Sequence, residues 1–380
     1  MKLKYSKNSE IGKRIFLIFR ALAIGYKTEH LKQNLRRKKM KKIIALLLSG
    51  MMIFSLASCN STSETTTAGT TAGTTAATTA AETKAGAATL KYAVLLKPLA
   101  NEYWTIMKNG IEAWAKEKNI LVDVYAAESE TNIAGQLSQL EDIISKDYAG
   151  IAVAPLTPVN LISGIVKANE KGIPVVNVDE PVDAAALKEA GGAMIALVTT
   201  DNKLVGKTAG DFIVKTIGSG KVAIIEGTSG NVTSQNRSAG AAEALKAGGC
   251  EVVASQPGDW DRIKSLDVAA NLIQSNPDLK AFYCANDTMA LGVLQAVQNA
   301  NKTDQIIVIG TDAIAGAKES VAAGELTATV GQDNVGIAVR CLELLIKSVD
   351  DGWKLDVAAA MPTEYIDSFL VTKDNVKDYM

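Results

Sequence analysis

From Leu90 onward, short apolar runs rich in β-branched residues alternate with longer amphipathic segments, and the whole alternation occurs twice. The first series predicts strands at 90–96, 121–126, 150–154, 173–179 and 195–199, with helices at 103–118, 132–146, 159–171 and 183–190 between them. The second predicts strands at 221–226, 251–255, 281–285, 306–310 and 326–330, with helices at 204–217, 234–247, 263–275, 288–299 and 314–323. Crossovers of helix length make neighbouring strands parallel and cover both sheet faces, which is why the strands read as unbroken apolar runs. With 380 residues, more than one core usually holds, the predicted fold class is α/β with two doubly wound, Rossmann-like parallel-sheet lobes. A last helix at 335–349 and a final strand near 365–372 complete the chain.

Two such lobes point their strand ends at a shared cleft, so the polar residues at those ends are the candidates for function. The run IPVVNVDEP at 173–181 ends abruptly in Asp179 and Glu180. Other strands end at Asn286 and Asp287, at Thr311 and Asp312, and at Gln332. Helix capping is sufficient for Asp287, ahead of Thr288, and explains the others less well. Amides and carboxylates converging from several strands can each bridge two neighbouring hydroxyls, as a sugar presents them. Aromatics are only 5% of the chain, yet Tyr103 and Trp104 follow the first strand and Trp260 sits in a polar loop at 258–262. Flat rings could wall the apolar C–H faces of a sugar; packing of Tyr103 and Trp104 on the core at a helix start is the other reading.

Several function classes are excluded or disfavoured. The formal net charge of −1 gives no reason to expect nucleic acid as a partner. The single histidine, His30, falls in the basic leader, so the body of the chain has no His-based metal site and no Ser-His apparatus. Gly206-Lys207-Thr208 ends like a phosphate loop, but Asp201 stands where the leading glycine is needed. Cys250, Cys284 and Cys341 cannot all pair and fit no disulfide framework.

The segment from Met40 has a short basic start, an apolar run and Leu56-Ala57-Ser58-Cys59, and it resembles a bacterial lipoprotein signal. That resemblance implies a signal peptide at 40–58 and a lipid on Cys59; an uncleaved anchor is the alternative. Residues 1–39 read as an upstream extension, and 59–89 as the lipidated cysteine followed by a Thr/Ala/Ser-rich tether.

From about Leu90 the chain also resembles the periplasmic sugar-binding proteins of the ribose type, the substrate-capturing components of ABC importers. The matching runs are Asn101-Glu102-Tyr103-Trp104, Asn177-Val178-Asp179-Glu180, Thr199-Thr200-Asp201-Asn202, the stretch at 255–262, and Cys284-Ala285-Asn286-Asp287-Thr288-Met289-Ala290. Lys97 and Glu180 stand where ribose binders carry a serine and an arginine, as in allose-binding members. The resemblance implies the type I periplasmic-binding-protein fold with a three-strand hinge near Thr200, Gln332 and Met361. The N-terminal lobe would then be 90–200 plus 333–361, and the C-terminal lobe 201–332 plus 362–380. It implies a sugar site of Lys97, Asn101, Tyr103, Trp104, Asp179 and Glu180 from the first lobe, and Arg237, Trp260, Asn286, Asp312 and Gln332 from the second. Tyr103 replaces the family's usual phenylalanine and Glu102 a common proline, so the class of ligand is more firmly implied than the individual sugar. The implied function is capture of a monosaccharide and its delivery to ABC permease subunits by a monomeric, lipid-anchored, extracytoplasmic protein, without cofactor, metal or catalysis. Presentation of bound sugar to a chemoreceptor or histidine kinase is the alternative.

Overall fold

The structure, a computed structural model, describes residues 90–380; the expectations for 1–89, including lipidation of Cys59, lie outside the described residues. The first series forms β1 (Lys91–Leu96), α1 (Glu102–Lys118), β2 (Leu121–Ala126), α2 (Ile133–Ile144), β3 (Gly150–Val153), α3 (Ile162–Glu170), β4 (Val175–Val178), α4 (Ala184–Glu189) and β5 (Leu197–Thr199). The second forms α5 (Asn202–Ile217), β6 (Lys221–Glu226), α6 (Val232–Ala247), β7 (Glu251–Pro257), α7 (Arg262–Ser275), β8 (Leu279–Cys284), α8 (Asp287–Asn299), β9 (Ile307–Asp312), α9 (Ala315–Ala323) and β10 (Ala328–Gln332). The chain ends with α10 (Asn334–Asp350), β11 (Thr363–Tyr365) and β12 (Ser368–Thr372).

These strands build two six-stranded sheets, ordered β11-β5-β4-β3-β1-β2 and β12-β10-β9-β8-β6-β7. All pairs are parallel except β10 with β12. Each sheet is covered by apolar clusters of its own, with Leu96, Met107 and Ile337 in one cluster of the first sheet and Leu95, Leu140 and Ile165 in the other. Burial on both faces accounts for the apolar runs: every residue of β3 and β4 is buried. In each sheet the strand order reverses beside the first strand of its series, between β1 and β3 and between β6 and β8. Loops leaving such neighbours diverge to opposite faces and open a crevice at the strand ends.

The sequence expectations fail at two places along the backbone. The strand expected at 173–179 is only Val175–Val178, because Pro174 cannot donate to a ladder and Asp179 turns to φ 58°. The single strand expected at 365–372 is two strands in different sheets, β11 beside β5 and β12 beside β10. Residues of β11, expected in the second lobe, therefore belong to the first sheet, and the last crossing between sheets follows Tyr365 rather than Met361. Met361 packs against the first lobe's core. The other two crossings, between β5 and α5 and between β10 and α10, fall beside Thr200 and Gln332.

Candidate functional site: a polar cavity between the lobes

The first lobe supplies its groups from the ends of β1 and β4 and from the first turn of α1. Asn177, buried in the apolar β4, clamps the following turn: its Nδ2 donates to the carbonyls of Val153 at 3.1 Å and Glu180 at 2.7 Å, and its Oδ1 accepts from the Val182 amide at 2.8 Å. Thr199 Oγ1 donates to the Asp179 carbonyl at 2.7 Å. The left-handed backbone at Asp179 is thus held from both sides, aiming its side chain into the crevice. Asn101 caps α1 by accepting from the Tyr103 amide, which starts the helix with Tyr103 and Trp104 in its first turn. Their rings meet edge to face, with centroids 5.0 Å apart. The Tyr103 hydroxyl donates to Asp179 Oδ1 at 3.1 Å. At the end of β1, the buried Lys97 donates to Glu180 Oε1 at 3.1 Å and lies 3.2 Å from Glu130 Oε2. Its ammonium is 5.8 Å from the ring centroids of both Trp104 and Trp260.

The second lobe answers with α6 and the ends of β8, β9 and β10. Helices α5 and α6 pack so closely that a Cβ on Gly206 would stand 1.9 Å from the Arg237 carbonyl oxygen, so only glycine allows the backbone bearing Arg237 to lie this near α5. Arg237 Nε donates to Asn202 Oδ1 at 2.8 Å, and Nη1 donates to the Ala285 carbonyl at 2.7 Å and to Asp312 Oδ1 at 3.3 Å. Gln332 Nε2 donates to the same Asp312 oxygen at 2.6 Å. Asp312 has φ 114°, a conformation that an L residue holds only when its surroundings impose it. Asn286 caps α8 by accepting from the Met289 amide at 2.9 Å. Capping was the expected role of its neighbour Asp287, and the structure corrects this. Asp287 lies in the helix, fully buried, where it accepts from Thr329 Oγ1 at 2.7 Å and the Ile314 amide at 3.0 Å, tying α8 to the loop after β9.

Burial governs the electrostatics. It pushes the Asp179 carboxyl up to about 7, with Glu180 adding to the rise and Arg237 opposing it. Asp179 therefore gains and loses its proton near neutrality. Burial likewise pushes Asp312 up to about 6 against the pull of Arg237. Lys97 is desolvated too, but the Glu180 and Glu130 carboxylates outweigh that and hold its ammonium above the ordinary range.

All of the expected side chains except Gln332 line one cavity with about 300 Å³ of space free of atoms. Gln332 reaches it only through Asp312. Thr233 joins the lining and was missed by sequence reasoning, as was its neighbour Asn231. Both donate across the cleft to Glu180 Oε2, Asn231 Nδ2 at 2.9 Å and Thr233 Oγ1 at 3.1 Å. The readable signal is the Gly-Asn-Val-Thr stretch opening α6, where Asn231 is the cap; the expected helix at 234–247 begins one residue past Thr233. Asn286 Nδ2, Gln332 Oε1 and Trp260 Nε1 are buried and make no hydrogen bond within the chain. A buried donor or acceptor left unpaired costs about 1–3 kcal/mol, so these atoms favour a ligand that completes them. Planar polar groups from two lobes, with aromatic rings on the walls, suit a small polyhydroxylated ring. Among the described residues, no group of three or more His, Cys, Asp and Glu side chains is arranged to hold a metal ion.

Residues 92–352 match the model of a periplasmic binding protein domain. The chain is 48% identical over 289 residues to the D-allose-binding periplasmic protein of Escherichia coli, spanning 75% of this chain and 93% of that one. It is 32% identical over 247 residues to the ribose import binding protein of the same organism, spanning 64% and 80%. Among solved structures, an ABC transporter periplasmic solute binding protein from Actinobacillus succinogenes with bound D-allose shares the fold with a TM-score of 0.72 at 31% identity, covering 76% of this chain and all 100% of that one. These relatives are sugar-binding proteins of transport systems, and the chain belongs to their family, that of the periplasmic binding proteins.

Proposed function

We propose that this chain is a lipid-anchored, extracytoplasmic solute-binding protein that captures a monosaccharide between its lobes and delivers it unaltered to the membrane subunits of an ABC importer. D-allose is the first candidate, with ribose and psicose as related sugars. The observation that carries this reading is the convergence of Asn286, with its unpaired Nδ2, and the Asp179 and Asp312 carboxylates on a cavity walled by Trp104 and Trp260. D-allose takes precedence because the relative of that name shares nearly half its residues with this chain and a structural relative holds that sugar. Contacts to both lobes favour the closed arrangement, and only such differential affinity drives closure. In this reading the two bodies that move are residues 90–200 with 333–365 and residues 201–332 with 366–380, a division that the pairing of β11 with β5 supports. A micromolar ligand requires about −8 kcal/mol, within reach of several charge-assisted hydrogen bonds and stacked rings after the costs of binding.

Isothermal calorimetry against allose, ribose, psicose, galactose, glucose and xylose tests the ligand class. Saturable binding of one or two of these supports the proposal, and heat from none of them refutes it. The anchor at Cys59 is tested in cells: Cys59→Ser should release the protein from the membrane fraction, and retention at the wild-type level would exclude a lipid on that sulfur.

A further inference from the structure

We propose that Gly227, immediately after β6, is a positioning residue that sets the plane of the Trp260 wall. The inference rests on the monosaccharide reading of the cavity for its binding readout, and on geometry alone for its structural one. Trp260 is 8% exposed, and its six-membered ring lies directly over Gly227. A Cβ added there would stand 2.0 Å from Cζ2, 2.2 Å from Cε2 and 2.4 Å from Cη2. Carbon atoms rest about 3.5–4.0 Å apart, so any side chain at 227 must push the indole away by more than an ångström.

Neither partner has room to yield. The Gly227 amide donates to Ser234 Oγ at 2.8 Å, fixing it to α6 beside Thr233. On the other side, Asp259 at φ 55° and Trp260 at φ 61° form two successive left-handed residues. That corner is pinned by the Asp261 amide donating to the Gly258 carbonyl at 2.9 Å, and by Asp261 Oδ1 accepting from the Lys264 amide at 2.7 Å as the cap of α7. Gly258 cannot shift either, since Ser265 Oγ and Ile225 Cγ2 crowd its own Cβ position at 2.2 and 2.8 Å. The strained corner sets where the indole starts and Gly227 sets where it lies. A ring displaced from the glycine moves into the cavity it walls, toward Lys97, whose ammonium is already 5.8 Å from its centroid.

A double-mutant cycle tests this. Gly227→Ala in the native background should weaken binding of the best sugar from the calorimetric panel by about tenfold or more, the scale of overpacking in a rigid site. In a Trp260→Phe background, whose ring ends short of Cζ2 and Cη2, the same glycine change should alter the dissociation constant less than about threefold. Thermal unfolding of the unliganded proteins gives the second readout: the drop in midpoint caused by Gly227→Ala should vanish when Trp260 is Phe. Equal effects of Gly227→Ala in both backgrounds, or none in either, would overturn the proposal. A protein that binds no sugar of the panel refutes the monosaccharide reading while the unfolding cycle still decides the role of Gly227.

Discussion

Replacing Thr233 by valine removes one hydroxyl from a buried bond that crosses the cleft, and leaves the shape of the side chain nearly unchanged. Thr233 is 3% exposed and donates to Glu180 Oε2 at 3.1 Å, alongside Asn231 Nδ2 at 2.9 Å. Glu180 follows a strand of the first sheet and Thr233 opens a helix packed on the second, so this bond forms only when the lobes meet. A hydrogen bond to a charged group contributes about 1.5–3 kcal/mol, and its loss shifts the closed-to-open ratio by about 10–150-fold. If sugar is held only by the closed form, the apparent dissociation constant of Thr233→Val rises by up to that factor, with most of the change in the rate of release. Calorimetry gives the affinity and stopped-flow fluorescence the release rate. The midpoint of unliganded unfolding should move little, because the bond joins two lobes rather than holding either together. Thr233→Ser, which keeps the hydroxyl, should stay within a few-fold of wild type. An affinity of Thr233→Val within twofold of wild type, or Thr233→Ser as weak as Thr233→Val, would refute the role of this bond in closure.

Three other expectations follow from the charges in the cavity. Burial holds the unliganded Asp179 at about 7 and Asp312 at about 6, both above the ordinary 3.8, so the folded protein keeps protons that the unfolded chain has released between pH 4 and 7. Their contribution to stability therefore falls as pH rises through that window. A sugar hydroxyl donating to an ionised Asp179, amid Glu180, Asp312, Arg237 and Tyr103, expels the proton; affinity should strengthen from pH 5 to 8, with proton release visible in buffers of different ionisation enthalpy. A dissociation constant that does not change over that range would exclude it, and Asp179→Asn should flatten the dependence. Glu180→Arg places a cation beside Lys97 and should weaken allose binding more than ribose binding in parallel titrations; equal losses would count against any part for Glu180 in choosing the sugar.

The amino-acid pattern alone was enough for the strand–helix alternation and for most of the site, because both rest on short-range rules. Burial on two faces imposes apolar runs, helices cover parallel strands, and the ends of those strands meet at a crevice, so Asp179, Asn286 and Asp312 could be placed together without coordinates, whereas Lys97, Asn101 and Arg237 came only from the resemblance. Tertiary structure decided what depends on neighbours remote in the chain. Asn231 and Thr233 meet Glu180 across 51 and 53 residues, and no local periodicity encodes that distance. Asp287 looks like a cap to its sequence neighbours, yet its partners Ile314 and Thr329 arrive from other elements. The proton on Asp179 is set by a desolvated cavity that exists only once both lobes surround it. The division of 363–372 between two sheets likewise reflects which open edge each short strand finds, β5 for one and β10 for the other. Local sequence specifies the elements and the ends they expose; the charge state and the contacts between lobes arise from packing, since desolvation and hydrogen bonding act through space, whatever the order along the chain.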